Sequence, residues 1–181
     1  MKSDERHLEC DDVLIGGREK RPIVMIDYDL GWPARFETER TRVRQALGAS
    51  AMRIEHIGST AVPGLAAKPI IDLLVTIEDP DDGAAAEAAL ESVGHELRVR
   101  EPGHRMFRTP QRDVHVHIWR DTNPDVTRHL RFRDRLRQSP EDRQADEQLK
   151  RQLATRDWAD MNEYAEAKGP LIEAILARAG P

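Results

Sequence analysis

The chain has 181 residues, 39% hydrophobic and 34% charged, which suits one domain of ordinary size; with aromatics at only 4%, its core must come from Leu, Ile, Val and Ala. A net charge of -5 and a pI near 5.8 argue against general nucleic-acid binding, which shows a basic excess. The single cysteine, Cys10, excludes an intrachain disulfide, no apolar run reaches the length of a membrane span, and MKSDERHLECDD has charges where a signal peptide needs its apolar core. A soluble, cytoplasmic protein is expected.

Residues 1–21 read as a loose arm ahead of a single domain over residues 22–181. RPIVMIDYD predicts a short strand near residues 22–28. WPARFETERTRVRQALG predicts a helix, with Pro33 in its first turn, Gly48 just past its end, and Phe36, Val43 and Leu47 on one face. Strands are expected over residues 52–57 and 70–77; the second, IIDLLVTI, is nearly all apolar, as in a strand buried on both faces. EDPDDGAAAEAALESVG predicts a helix stopped by Gly94. HELRVRE, RMFRT and VHVHIW are three short β-prone runs joined by PGH and PQRD, so hairpin pairing is expected. NPDVTRHLRFRDRLRQ and SPEDRQADEQLKRQLATR each open like an N-cap followed by proline, and a last helix over about residues 160–179 meets Gly169-Pro170, which kinks or splits it. The order gives an α+β (mixed α/β) fold with a helical C-terminal third.

HIGSTAVPGLAAKPIIDLLV, residues 56–75, concentrates the chemistry. A Gly58-Ser59 turn with free amides at the start of a short helix favours phosphate; Ser59 and Thr60 add hydroxyls and Lys68 a positive charge. Asp72, in the middle of a greasy strand, is costly to bury unless it is paired, hydrogen-bonded or bound to a metal. The plainer account has Ser59 and Thr60 capping a helix and Asp72 pairing with Lys68 or a backbone amide. His115 and His117, at i and i+2, share one strand face and with Asp72 could hold a transition-metal ion; alternatively one sits in the core and the other at the sheet edge. His56 faces the same cleft or is a satisfied core histidine. Arg105 and Arg108 are candidates for phosphate contacts or solvated positions. Arg128, Arg131 and Arg135 line one helical face, with pairing to Asp125 and Asp134 as the ordinary explanation. Tyr164 and Lys168 share a face of the last helix and either close the cleft or simply pack.

EHIGSTAVPGLAAKPIIDLLV resembles the signature of the GrpB family, bacterial proteins assigned to the nucleotidyltransferase superfamily; YDLGWPARFETE, HVHIW, HLRFRDRLR, LKRQLA and YAEAKGPLIEAIL follow in the family's order across residues 22–178. The resemblance implies a nucleotidyltransferase-like mixed sheet flanked by helices, a Gly-Ser turn and acidic residues on adjacent strands. Some relatives are fused to dephospho-CoA kinase. Laid on the superfamily pattern, Asp72 takes the second aspartate position and Ile70 the first, while His115 and His117 stand where a later strand would supply another acid.

Two readings follow. In the first, the protein transfers a nucleotidyl group from a nucleoside triphosphate to a small acceptor, with Gly58, Ser59, Thr60, Lys68, Arg105 and Arg108 on the phosphates, and Asp72, His115 and His117 on a divalent metal (Mg, Mn or Zn). In the second, the missing first carboxylate leaves a non-catalytic module that binds a nucleotide, a coenzyme-A precursor or another phosphorylated small molecule. Neither reading calls for a nucleic acid or a membrane, and both are compatible with a homodimer.

Overall fold

The computed structural model describes residues 13–180. Its centre is one five-stranded sheet: β1 (Arg53–Ile57), β2 (Ile71–Ile77), β3 (Glu96–Glu101), β4 (His104–Arg108) and β5 (Val114–Arg120), in the spatial order β1-β2-β5-β4-β3. β2 and β5 run parallel, and every other neighbouring pair is antiparallel, so the sheet is mixed, as expected for the mixed α/β class. The expected hairpin pairing of the three middle runs is present, with a bulge in β3 between Leu97 and Val99.

Helices cover both faces. α1 (Trp32–Leu47) and α2 (Ala84–Ser92) lie on one, where Trp32, Phe36, Val43 and Leu90 pack on Ile71, Leu73, Val75, Val116 and Phe107. The C-terminal helices α3 (Pro124–Gln138), α4 (Pro140–Ala154), α5 (Met161–Glu166) and α6 (Gly169–Arg178) gather on the other. There Leu74 and Ile57 meet Trp119 and Val126, and Leu136 and Ile175 close over Val62 and Leu65. β2 is therefore apolar in both directions except at Asp72 and Thr76: each fully buried Leu or Ile side chain contributes roughly 1.5–3 kcal/mol, enough for the strand to tolerate Asp72.

The helix ends follow local rules. Asn123, Ser139 and Asp160 each accept a hydrogen bond from a backbone amide of the first turn of α3, α4 and α5, worth about 1 kcal/mol apiece. Pro170 sits in the first turn of α6, so the expected last helix is two helices. The arginines of α3 are neutralised chiefly by other elements rather than along the helix: Arg128 pairs with Glu173, Arg133 with Glu55 as well as Asp134, and Arg135 with Asp142.

The expected strand over residues 22–28 shrinks to a single bridge, in which Ile26 and Ala67 exchange two backbone hydrogen bonds. The next narrow pair of that ladder would fall on Pro69, which has no N–H to give. Of the expected arm, residues 1–12 lie outside the described residues, while residues 13–21 are tied to several elements: Leu14 bridges Val99 of β3, Arg18 pairs with Asp160 at the start of α5, and Glu19 takes two bonds from Arg108 of β4. Among the described residues no helix is long and apolar enough to cross a membrane.

Candidate functional site

Strand register assembles the site. The parallel pairing of β2 with β5 puts Asp72 beside His115 and Leu74 beside His117. Side chains alternate across a strand, so Asp72, His115, His117 and Trp119 share the face under the C-terminal helices, while Val114, Val116 and Ile118 point into the core beneath α1 and α2. His115 Nδ1 lies 3.2 Å and His117 Nε2 3.9 Å from Asp72 Oδ1, and one ligand atom from each of the three lies within 4.8 Å of the others.

Electrostatics prepares these groups. Burial pushes the Asp72 carboxyl up, but the His115 hydrogen bond and the charges of His115, His117 and Lys68 outweigh it and hold the carboxyl below its ordinary range. Burial holds His117 well below its ordinary range despite the pull of Asp72, which favours the neutral imidazole that a metal needs. One carboxylate and two imidazoles form a donor set suited to a first-row transition ion, whereas Mg²⁺ demands oxygens.

A second layer lies behind His117. Its Nδ1 is 3.3 Å from His104 Nε2, and His104 Nδ1 is 2.9 Å from Glu101 Oε2. The His104 and His117 rings both stack on Trp119, with centroids at 4.6 and 5.2 Å. With Nδ1–H of His117 donating to His104 and Nδ1–H of His104 donating to Glu101, the lone pair on His117 Nε2 faces Asp72. Metal-bound histidines are commonly fixed this way.

The turn next to Asp72 is fixed by Gly58. Its φ of 72° and ψ of -175° belong to a region essentially restricted to glycine, and a methyl group there would overlap Asp72 Oδ2. The helix it opens is a single 3-10 turn, Ser59–Ala61. Ser59 Oγ accepts from the Lys150 ammonium at 2.9 Å, and Lys150, nearly fully buried, also pairs with Asp146 at 2.7 Å. Lys68 and Lys168 both lie over the buried Tyr164 ring, at 5.0 and 4.9 Å from its centroid. Burial and then the Lys68 charge pull Lys168 down to about 8, and burial lowers Lys68 and Lys150 as well. The mutual lowering of their proton affinities shows that the three ammonium groups lie close together, with Lys150 balanced by Asp146.

Other sequence candidates fall elsewhere. Thr60 is buried, its hydroxyl donates to the Ile70 carbonyl and meets His56 Nε2 at 3.1 Å, and so it offers no donor to the cleft. His56 stacks on Phe36 at 4.5 Å, and burial lowers its pKa to about 4: it is the satisfied core histidine. Arg105 points to the α2 side of the sheet, bound to Glu87 and Asp81, because residues 105 and 108 differ by an odd number along one strand. Arg108 stays on the site face, in a two-pronged pair with Glu19. Glu101, His104, Trp119 and Lys150 carried no site role in the sequence.

The geometry meets a known family. The family model described as GrpB protein matches residues 22–178, and the chain belongs to the GrpB family. A UPF0157 protein of Streptomyces coelicolor is 48% identical over 167 residues, covering 92% of this chain and 89% of that protein. The crystal structure of the conserved protein GrpB from Enterococcus faecalis superposes with a TM-score of 0.77 at 35% identity, covering 86% of this chain and 96% of that one. A dephospho-CoA kinase of Mycolicibacterium paratuberculosis is 28% identical over 88% of this chain, which matches 46% of its own length.

Proposed function

We propose that the protein is a metal-dependent nucleotidyltransferase acting on a small acceptor. The observation that carries this reading is the junction at Gly58: Gly58 lies against Asp72 of the Asp72–His115–His117 cluster, and the next residue, Ser59, is bonded to Lys150, whose charge acts on Lys68 and Lys168. A nucleoside triphosphate lying across the turn has its terminal phosphates among the lysines and its α-phosphate at the carboxylate. An acceptor oxygen attacks the α-phosphorus, the bond to the bridging oxygen breaks, and pyrophosphate leaves. The lysines offset the charge that builds on the leaving group, the main protein contribution to such transfers. Asp72, His115 and His117 would hold a divalent ion, which would supply Lewis-acid stabilisation of negative charge in the transfer. Glu101 and His104 keep His117 oriented for that ion.

The test is pyrophosphate release from each nucleoside triphosphate with Mn²⁺, Zn²⁺ or Mg²⁺, water serving as a slow acceptor. Release that needs a metal and disappears in Asp72→Asn supports the reading. Ile70 favours one alternative. Among the described residues the cluster holds one carboxylate, so chemistry that needs two metals is not supported by it. A nucleotide or coenzyme-A precursor that binds equally well after chelation, with no pyrophosphate from any triphosphate, would make the protein a binding module.

A further inference from the structure

A cavity of about 530 Å³ adjoins the site, with His115 and Lys68 in its wall. It therefore touches both the metal-ligand cluster and the lysine cluster. Its volume is that of a small-molecule pocket and far too small for a folded polymer. Ile70, Val99 and Met106 line it from the sheet side, and Leu14, Val24 and Met161 from the segment before α1 and from α5. Among the described residues no Phe, Tyr or Trp lines it, which leaves His115 as the one aromatic ring a nucleobase could stack on. The apolar lining is aliphatic.

Its charge is one-sided. Among the described residues Arg18, Arg21, Lys68, Arg98, Arg108 and Arg112 line it with Glu19 and Asp113, six cations against two carboxylates, with Arg18 also paired to Asp160, in a chain whose net charge is -5. Glu19 already serves Arg108 and Arg112, and Asp113 serves Arg35. Arg98 donates to the backbone carbonyls of Ile15 and Gly17, and among the described residues no carboxylate is in hydrogen-bonding contact with it. Burial first, and then the neighbouring Arg108 charge, lower its affinity for a proton, while Glu19 raises it. An excess of positive charge in a low-dielectric cleft concentrates anions.

We propose that this cavity binds the acceptor substrate, a small aliphatic molecule that carries a carboxylate or phosphate group. Its stem lies on Ile70, Val99 and Met106, and its anion lies near Arg98 and Arg21. The role as acceptor site rests on the nucleotidyltransferase reading; the binding itself does not.

The experiment titrates the full chain with octanoate, octyl phosphate, octylammonium and inorganic phosphate by calorimetry, with and without EDTA. Val24 is 57% exposed, so Val24→Glu puts a negative charge in the cavity wall without opening the core. Octanoate or octyl phosphate should bind saturably with or without EDTA, and the tighter of the two identifies the acidic group. Val24→Glu should weaken that binding about tenfold at an unchanged Tm, as a like charge near contact does. Octylammonium binding as tightly as the anions, inorganic phosphate matching them, or Val24→Glu leaving affinity intact would each overturn the proposal, as would failure of both amphiphilic anions to bind. If the anions bind but no triphosphate yields pyrophosphate, the cavity stands and the enzymatic reading falls. Turnover of a triphosphate without anion binding would sink the cavity proposal alone.

Discussion

The two faces of β2 and β5 are built from alternate residues of the same two strands, yet they obey different rules. Toward α1 and α2 stand Ile71, Leu73, Val75, Val116 and Ile118, all essentially without solvent contact. Toward the C-terminal helices stand Asp72, His115 and His117, with side chains 21–25% exposed. One face is closed by packing alone. The other carries a carboxylate and a histidine chain, with three nearby lysines whose proton affinities are lowered by burial and only partly restored by Asp72 and Asp146. Substitutions on the first face should change stability and leave ligand affinity alone; substitutions on the second should do the reverse.

The largest effect is expected where the two demands meet. Gly58→Ala forces a non-glycine residue into a glycine region, at a cost of about 1–3 kcal/mol, and drives its methyl group into Asp72. It should lower the Tm by several degrees and abolish Mn²⁺ binding together. As the contrast, Leu73→Ala empties part of the closed face and should cost about 2–5 kcal/mol while the folded fraction keeps its Mn²⁺ affinity. Urea denaturation and calorimetry on both proteins check this. A Gly58→Ala protein that binds Mn²⁺ normally would detach the turn from the metal cluster.

Asp72→Asn comes next. It keeps the shape and removes the negative ligand, so Mn²⁺ affinity should fall below detection with the Tm nearly constant. A large drop in Tm with metal affinity intact would instead make Asp72 a structural partner of His115. His104→Ala acts through His117 rather than on the ion. Loss of such an outer partner typically weakens a metal about 10–100-fold, and His104→Gln, which can still accept from His117, should recover part of it. Equal affinity in all three proteins would show that the Glu101–His104 chain does not orient the ligand.

Much of this fold was legible because period and punctuation agree locally. The α1 pattern, the apolar run of β2 and the Asn-Pro and Ser-Pro helix starts all hold. Gly58, Ser59 and Asp72 were legible for the same reason: a Gly-Ser turn and a lone carboxylate in a greasy strand each break a local rule. What stayed hidden depends on register and tertiary packing. HRMFRT does not say which of Arg105 and Arg108 shares the face of His117; pairing with β5 decides it. His104 reads as the end of a turn, although it is the first residue of β4. Lys150 looks like any exposed helix lysine until α4 packs it, 4% exposed, against Ser59. Thr60 looks like a second phosphate donor until its hydroxyl is seen bound to the Ile70 carbonyl.

The smallest effect is expected at Lys168, and its sign separates the two faces most clearly. Burial first, then the Lys68 charge, hold its pKa at about 8, against 10.5 ordinarily. Below pH 8 the native and unfolded chains both carry the proton, and the fold bears the full cost of the confined charge. Between 8 and 10.5 the unfolded chain keeps a proton that the native state has released, so this group makes stability rise with pH across that window and no further. Lys168→Met keeps the stem over Tyr164 and removes the charge. It should therefore raise stability near pH 7 by on the order of 1–2 kcal/mol, a few degrees in Tm, and flatten the rise above pH 8. The same change should weaken a bound triphosphate, because an anion restores the proton that crowding displaces. In the wild type, triphosphate affinity should fall as pH rises through about 8, with proton uptake on binding at that pH, seen by calorimetry in buffers of different ionisation enthalpy. If Lys168→Met lowers the Tm and leaves triphosphate affinity unchanged, Lys168 belongs with the packing of Tyr164, and the open face is less committed to anions than its three lysines suggest.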